Sequence, residues 1–459
     1  MERIAKTVQF IDENIAWGPH LIVSILALSI YLTFKLRFIQ IKGLKKGFKL
    51  LLKNDNDNSG VSRFSALCTS LAATIGTGNI VGVATAISLG GPGALLWMIV
   101  AAFLGMAISF AEGLLAVKYR TINNGNYIGG PFYYIERGLG KKFRFLAIVF
   151  SFCAVMAGTF GIGTVIQSNS IATAVSGYFK NATIKGGSFN YAVAIVGSVV
   201  TLFSALVLIG GIKRISKVAE IFVPFMSGVY IIISLTIIIT HIEKIPEAVS
   251  LIFKTAFAPK SVLGATSGIT FLKAVQLGTS RGIFSNEAGL GSGAIAAASA
   301  SGTQAVEQGL VSMLGPFIDT IILCTITGLG LIVTGAWHSG GTGTDITVLA
   351  WKKGLPINNS ACELLLMLLI IFFAFSSIIG WHFYTEKSLC YLCKANKKII
   401  SAHRIIYILS VFFAPFIPST AVWTTADIFN AFMTLPNLIA LLLLSGVTAK
   451  ATKGYYKRI

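Results

Sequence analysis

The sequence predicts an all-α polytopic membrane protein of about 11 transmembrane helices: one N-terminal helix, then two inverted five-helix repeats. Three observations predict it: an apolar composition, a one-sided distribution of positive charge, and two apolar segments that break at matching places. Hydrophobic residues make up 54% of the 459 and charged residues 12%, against about 25% charged in a typical soluble domain. Mean hydropathy is +0.78. A soluble globule and a disordered chain are both excluded. The apolar residues suffice for roughly 11 or 12 spans.

Apolar segments lie near 18–35, 64–88, 93–117, 145–170, 190–210, 218–240, 266–298, 307–335, 360–385, 405–423 and 427–446. The start, Met1 to Trp17, lacks the basic-then-apolar order of a signal peptide, so the first span is expected to act as the insertion signal. No soluble domain is evident, and the turn-rich stretch from Asn54 to Gly60 reads as loop. The whole chain, 1–459, reads as one integral unit. Residues 1–63 give the first helix and a cytoplasmic loop, 64–240 one repeat, and 266–446 the other.

The net charge of +20 first suggests an acidic partner such as nucleic acid. Its distribution argues otherwise. With the N-terminus outside, cytoplasmic loops hold 26 of the 37 Lys and Arg, and external ones nine. Cytoplasmic loops of membrane proteins carry such an excess. The expectation is a multi-pass protein of the cell membrane, N-terminus outside and C-terminus cytoplasmic. Its basic face meets anionic lipid of the bilayer, and no nucleic acid or obligate protein partner is implied. Among the six cysteines, Cys390 and Cys393 form a C-x-x-C without a second pair or a histidine at ligand spacing, so no metal site or cofactor is read there.

The second segment contains Ala72-Ala73-Thr74-Ile75-Gly76-Thr77-Gly78-Asn79, a poor helix. The seventh contains Arg281-Gly282-Ile283-Phe284-Ser285-Asn286-Glu287-Ala288-Gly289-Leu290-Gly291 and breaks likewise. Each would be the first helix of a five-helix block. Five is odd, so the blocks are inverted. Paired interruptions at matching positions of inverted repeats point to the binding site of a transporter. Half-helix N-termini suit an anion, and half-helix C-termini with unwound carbonyls suit a cation. Close helix packing is the simpler use of such glycines, and the expected use of Gly105, Gly158 and Gly161. It does not call for the oxygen-bearing Thr77 and Asn79. A channel would need a continuous polar pore, and an enzyme a cluster at ligand or triad spacing; neither is seen.

These residues resemble the alanine or glycine:cation symporter family. The resemblance rests on Ala72 to Ala86, Gly90-Gly-Pro-Gly-Ala94, Gly129-Gly-Pro-Phe-Tyr133, Arg281 to Gly291, Asp319 to Gly328, Trp17-Gly-Pro and Pro436-Asn-Leu438, in order from about residue 10 to 450. It implies the leucine-transporter fold and sodium-coupled uptake of alanine or glycine by alternating access, with no enzyme activity. The runner-up is a proton- or sodium-coupled carrier of another small neutral amino acid. It implies a substrate site at Gly76, Thr77 and Gly78, with Gln167, Phe284, Ser377 and Trp381 facing it. Asn79 joins this set, with a second cation or a brace for the broken helix as open alternatives. It implies sodium ligands at the carbonyls of Ala72, Ile75 and Phe373 and the hydroxyls of Ser376 and Ser377.

The residue types suit these roles. Gln167 is a buried amide in need of partners, which a helix–helix hydrogen bond could also supply. Phe284 and Trp381 could limit the pocket to a small side chain or simply fill the core. Adjacent hydroxyls at Ser376 and Ser377 can ligate a hard cation or bond the preceding turn. Two positions depart from the family pattern. Ser377 stands where threonine is expected, and Gly293 where a proline often follows. Intramembrane charge singles out Glu112, Glu136, Arg281, Glu287, Asp319 and Glu386, with Arg281 pairing Glu287 or Asp319 as a gate or a structural bridge. His382 and His403 near span ends are weaker candidates for proton coupling.

Overall fold

The computed structural model describes residues 18–52, 60–123, 126–179, 190–257, 271–341, 343–416 and 419–458. Trp17, most of the Asn54–Gly60 stretch and the start of the segment at 266–298 lie outside them. Helix α1 (Pro19–Lys35) opens with proline in its first turn, where a missing N–H costs nothing. It meets α2 (Ile39–Leu51) at a 78° bend. Next come α3 (Arg63–Thr74), a short turn Thr77–Asn79, and α4 (Val81–Gly90). Then α5 (Gly93–Lys118) leads to a hairpin of β1 (Thr121–Asn123) and β2 (Asn126–Ile128), with Thr121 opposite Ile128.

Four more helices follow: α6 (Arg144–Phe160), α7 (Val165–Tyr178), α8 (Tyr191–Ile209) and α9 (Gly211–Ile239). The amphipathic α10 (Ile245–Phe257) precedes α11 (Phe271–Asn286) and α12 (Ser292–Ala297). Helix α13 (Ala305–Val333) carries a π-helical stretch at Phe317–Cys324. The chain ends with α14 (Gly343–Gly354), α15 (Asn359–Leu392), α16 (Lys397–Phe413) and α17 (Ser419–Lys457).

Eight helices among the described residues are long and apolar enough to span a membrane, and up to ten if each bent pair is one span. The pieces of the seventh segment, 16 and 6 residues long, stay below that threshold. The sequence reading differs from the structure mainly between spans. Helix α2 fills part of the loop expected at 35–63, and α10 and α14 fill parts of loops expected to be external. These helices have 13, 13 and 12 residues, too short to register as spans. The fourth segment is two helices, interrupted at 161–164.

Helices α5 and α15 are the most buried of the spans, and α16 and α9 the least. Helix α5 packs against α11 and the start of α13; α15 packs against α6 and α7. The broken α3 touches α15 and α9. Contact is closest where small residues meet. A Cβ on Gly158 would stand 2.1 Å from the Thr385 methyl, and one on Gly380 2.7 Å from the Ala73 amide nitrogen. On the outer helices, Leu202, Phe203, Phe225, Ile232 and Ile405 are exposed, as a lipid-facing surface requires.

Candidate functional site: two broken helices at the centre of the bundle

Helix α3 ends at Thr74, and Ile75 adopts an extended backbone. Gly76 is also extended, and a Cβ there would lie 2.5 Å from Ser377 Oγ. Only a glycine lets this strand of backbone approach α15 so closely. The turn Thr77–Asn79 follows, and the chain resumes as α4, with the halves 61° apart. The last carbonyls of α3 lack intrahelical donors. The amides of Thr77 and Gly78, first in their turn, lack intrahelical acceptors. The break therefore presents oxygens on one side and N–H groups on the other.

Side chains from three other segments close around it. Ser376 Oγ donates to Phe373 O at 2.8 Å and approaches Ile75 O at 3.4 Å. Ser377 Oγ donates to Phe373 O at 3.1 Å. Four expected cation ligands thus converge: two carbonyls and two hydroxyls, all fully buried and none charged. Ala72 is buried one turn earlier in α3. The donor set fits a hard cation of low charge, because neutral oxygens replace its hydration shell. Thr77 Oγ1 donates to Gln167 Oε1 at 3.3 Å, and Gln167 Nε2 donates to Ile162 O at 3.0 Å. Ile162 lies in the interruption before α7. That interruption, not foreseen from sequence, aims Gln167 at the break in the second segment.

Asn79 does two things. Its Oδ1 accepts the Gly76 amide at 3.0 Å, and its Nδ2 donates to Asp319 Oδ1 at 2.8 Å. Asp319 Oδ2 accepts from Ser285 Oγ and from Thr320 Oγ1, both at 2.8 Å. Asn286 Nδ2 donates to Thr320 Oγ1 at 3.0 Å. Asn79 thus joins the Gly76 amide to Asp319. Asp319 is the residue whose place sequence reasoning missed; it registered as an intramembrane carboxylate and as the start of the Asp319–Gly328 motif, but its partners did not.

The seventh segment breaks after Asn286. Glu287 sits at φ +56°, unusual for a residue with a side chain. Its carboxylate accepts from Ser292 Oγ at the start of α12, and from Trp381 Nε1 at 2.9 Å. Gly291 (φ +82°) ends the break, and a Cβ there would meet Pro131 Cγ at 2.7 Å and Asn437 Cγ at 3.0 Å. Asn437 Nδ2 donates to Gly289 O at 2.8 Å and to Glu112 Oε1 at 2.7 Å, while Tyr134 donates to Asn437 Oδ1. Three distant motifs, around Pro131, Gly291 and Asn437, thus meet at one break.

Other sequence candidates fall elsewhere. Phe284 is buried beneath the Arg281 guanidinium, 5.7 Å from its ring centre. Trp381 is fully buried and tied to Glu287. Glu287 and Asp319 are both held by neutral donors. The expected Arg281 pairing is replaced by these contacts. Glu386 pairs with Arg404 at 2.7 Å and stands 3.9 Å from His382. Glu136 pairs with Arg144 at 3.5 Å. Cys390 and Cys393 are free thiols, and no metal-binding cluster occurs among the described residues.

Helices interrupted at mid-bundle, with buried polar groups aimed into the interruptions, define a membrane transporter rather than a pore or an enzyme. The fold agrees. The structure matches MhsT in complex with L-phenylalanine at TM-score 0.53 and 14% identity, covering 85% of this chain and 99% of that one. It matches Mhp1, a nucleobase-cation-symport-1 family transporter, at TM-score 0.51 and 13% identity, covering 87% and 80%. Both share the leucine-transporter fold.

The model of the sodium:alanine symporter family matches residues 1–459. The sodium/alanine symporter AgcS of Methanococcus maripaludis is 42% identical, over 96% of this chain and 95% of that protein. An uncharacterized transporter of Haemophilus influenzae is 46% identical over 97% and 95%. The probable sodium/glutamine symporter GlnT of Bacillus subtilis is 35% identical over 100% and 92%. The chain belongs to the sodium:alanine symporter family, a family of transporters.

Proposed function

We propose that this protein couples inward sodium flow to the uptake of a small neutral amino acid, alanine or glycine, by alternating access. The observation that carries the reading is the meeting of Gly76, Gln167 and Ser377. In one place it offers amide N–H groups for a carboxylate, an amide side chain for an ammonium, and neutral oxygens for a cation. Sodium takes the oxygens of Ala72, Ile75, Phe373, Ser376 and Ser377; the amino acid takes Gly76, Thr77, Gly78, Gln167 and the flank of Ser377. Asn79 holds the turn in shape. In this reading Phe284 and Trp381 limit the site to a small side chain.

The division of contacts suits a moving part and a frame. Helices α5, α11 and α13 pack together, α15 packs with α6 and α7, and the broken α3 lies between the groups. In this reading two contacts close the passage near one end. Arg63 pairs with Glu307 at 3.0 Å, and Val61 bridges Ala300. In this reading that end is cytoplasmic, the N-terminus is outside, and residues 64–240 and 266–446 are the inverted repeats of an eleven-span protein. Binding of sodium beside Ile75 orders the break and favours the amino acid.

A second reading, a carrier of another neutral amino acid coupled to sodium or protons, draws on two relatives. One is GlnT. The other is YrbD of Bacillus subtilis, a putative sodium/proton-dependent alanine carrier, 34% identical over 97% of this chain and 91% of its own. Uptake into proteoliposomes separates the two. Labelled alanine, glycine and glutamine are offered under an imposed sodium gradient or an imposed proton gradient. Accumulation of alanine or glycine driven by sodium supports the first reading. Accumulation indifferent to sodium overturns it.

A further inference from the structure

A groove of about 490 Å³ opens where α1 turns into α2 and meets the last turns of α17. Five cationic side chains line it: Lys35, Arg37, Lys42, Lys453 and Lys457; no carboxylate does. The elbow that forms it is unusual, with Arg37 and Phe38 both at φ +57°. Lys35 Nζ donates to Tyr31 Oη at 2.5 Å and to Ser445 Oγ at 2.8 Å, which turns its charge toward α17. Lys46 lies over the rings of Tyr455 and Tyr456, 4.4 and 5.5 Å from their centres, and pins α2 to α17. Like charges drawn this close repel one another unless an anion balances them.

We propose that this groove binds the phosphodiester headgroup of an anionic glycerophospholipid, with its acyl chains running beside the elbow. The floor includes Leu36 and Ile39. Just outside, Phe34, Phe38 and Ile41 are exposed by 64%, 39% and 66%. A free phosphate would use the charges and leave this apolar flank unexplained. A diacyl lipid uses both. Helix α2, with four lysines and no acid in 13 residues, has the composition of a helix lying in a charged membrane surface. The site is remote from the broken helices, so it stands or falls separately from the transport mechanism.

Native mass spectrometry of the full-length protein, with phosphatidylglycerol or phosphatidylcholine added, tests it. The wild type is expected to retain phosphatidylglycerol in preference to phosphatidylcholine. Lys42→Gln/Lys453→Gln/Lys457→Gln should weaken phosphatidylglycerol retention about tenfold or more and leave phosphatidylcholine unchanged. Lys213→Gln/Lys217→Gln, cations elsewhere on the chain, should change neither. Size-exclusion profiles report folding. If the triple variant aggregates, Lys453→Gln alone, at an exposed position, should still weaken retention about threefold. Equal retention of the two lipids by the wild type overturns the proposal, as does an unaltered folded variant. Displacement of the lipid by equimolar glycerol phosphate also overturns it, since it would mark a site for a soluble anion.

Discussion

Asn79 donates a hydrogen bond to Asp319 across 2.8 Å, although the two residues are 240 positions apart. This bond ties the unwound turn of the second segment to the π-helical part of α13. Because Asn79 also accepts the Gly76 amide, the turn is held from both sides. Asp319 accepts from two hydroxyls besides. Its negative charge is the strongest acceptor beside the break, so the shape of the Thr77–Asn79 turn depends on it.

Asp319→Asn keeps the shape and removes the charge. Hydrogen bonds to charged groups are worth about 1.5–3 kcal/mol each. Sodium-driven alanine uptake should fall roughly tenfold or more, with normal expression and an unchanged elution profile. Wild-type uptake would show that the charge is not needed to hold the turn.

Gly76→Ala places a methyl 2.5 Å from Ser377 Oγ. Overpacking of this kind costs about 1–3 kcal/mol. Because both backbone and hydroxyl belong to the proposed site, uptake at limiting alanine should drop about tenfold. Gly177→Ala, where nothing lies within 4 Å, is the control and should transport normally.

Ser376→Ala removes one proposed oxygen ligand from a fully buried position. The sodium concentration for half-maximal uptake should rise about fivefold, the equivalent of roughly 1 kcal/mol. Ser376→Thr keeps the hydroxyl and should restore most of the affinity. An equal effect of both substitutions would assign the serine to packing.

Trp381→Phe removes the indole N–H that donates to Glu287 at 2.9 Å. A buried carboxylate short of a donor costs about 1–3 kcal/mol. Thermal stability in detergent should decrease, and the maximal uptake rate should fall more than the apparent affinity for alanine. An unchanged rate would make Trp381 a filler of space only.

Much of this architecture was legible because lipid imposes simple rules. Apolar length located the helices, and the Gly-Thr-Gly-Asn run exposed the break at Gly76 because few sequences place such residues inside a span. Ser376 and Ser377 stood out among phenylalanines for the same reason. What stayed hidden depends on partners remote in sequence. Asp319 looked like one charge among several until Asn79 and Ser285 were seen to reach it. The cluster of Glu112, Tyr134 and Asn437 around Gly289 joins four separate segments, and no local pattern announces it. The interruption before α7 was hidden because Gly158 and Gly161 read equally well as packing residues. Helix α2 escaped because its apolar face is too short to mimic a span.

The most direct test of the central claim is alanine binding to the purified wild-type protein, measured by calorimetry in sodium and in potassium. If the amino acid and the cation share the break at Gly76, each strengthens the other by the same factor. Sodium should tighten alanine binding at least tenfold, alanine should tighten sodium binding equally, and Ser376→Ala should reduce both effects together. Alanine affinity that is identical in sodium and potassium would contradict the account.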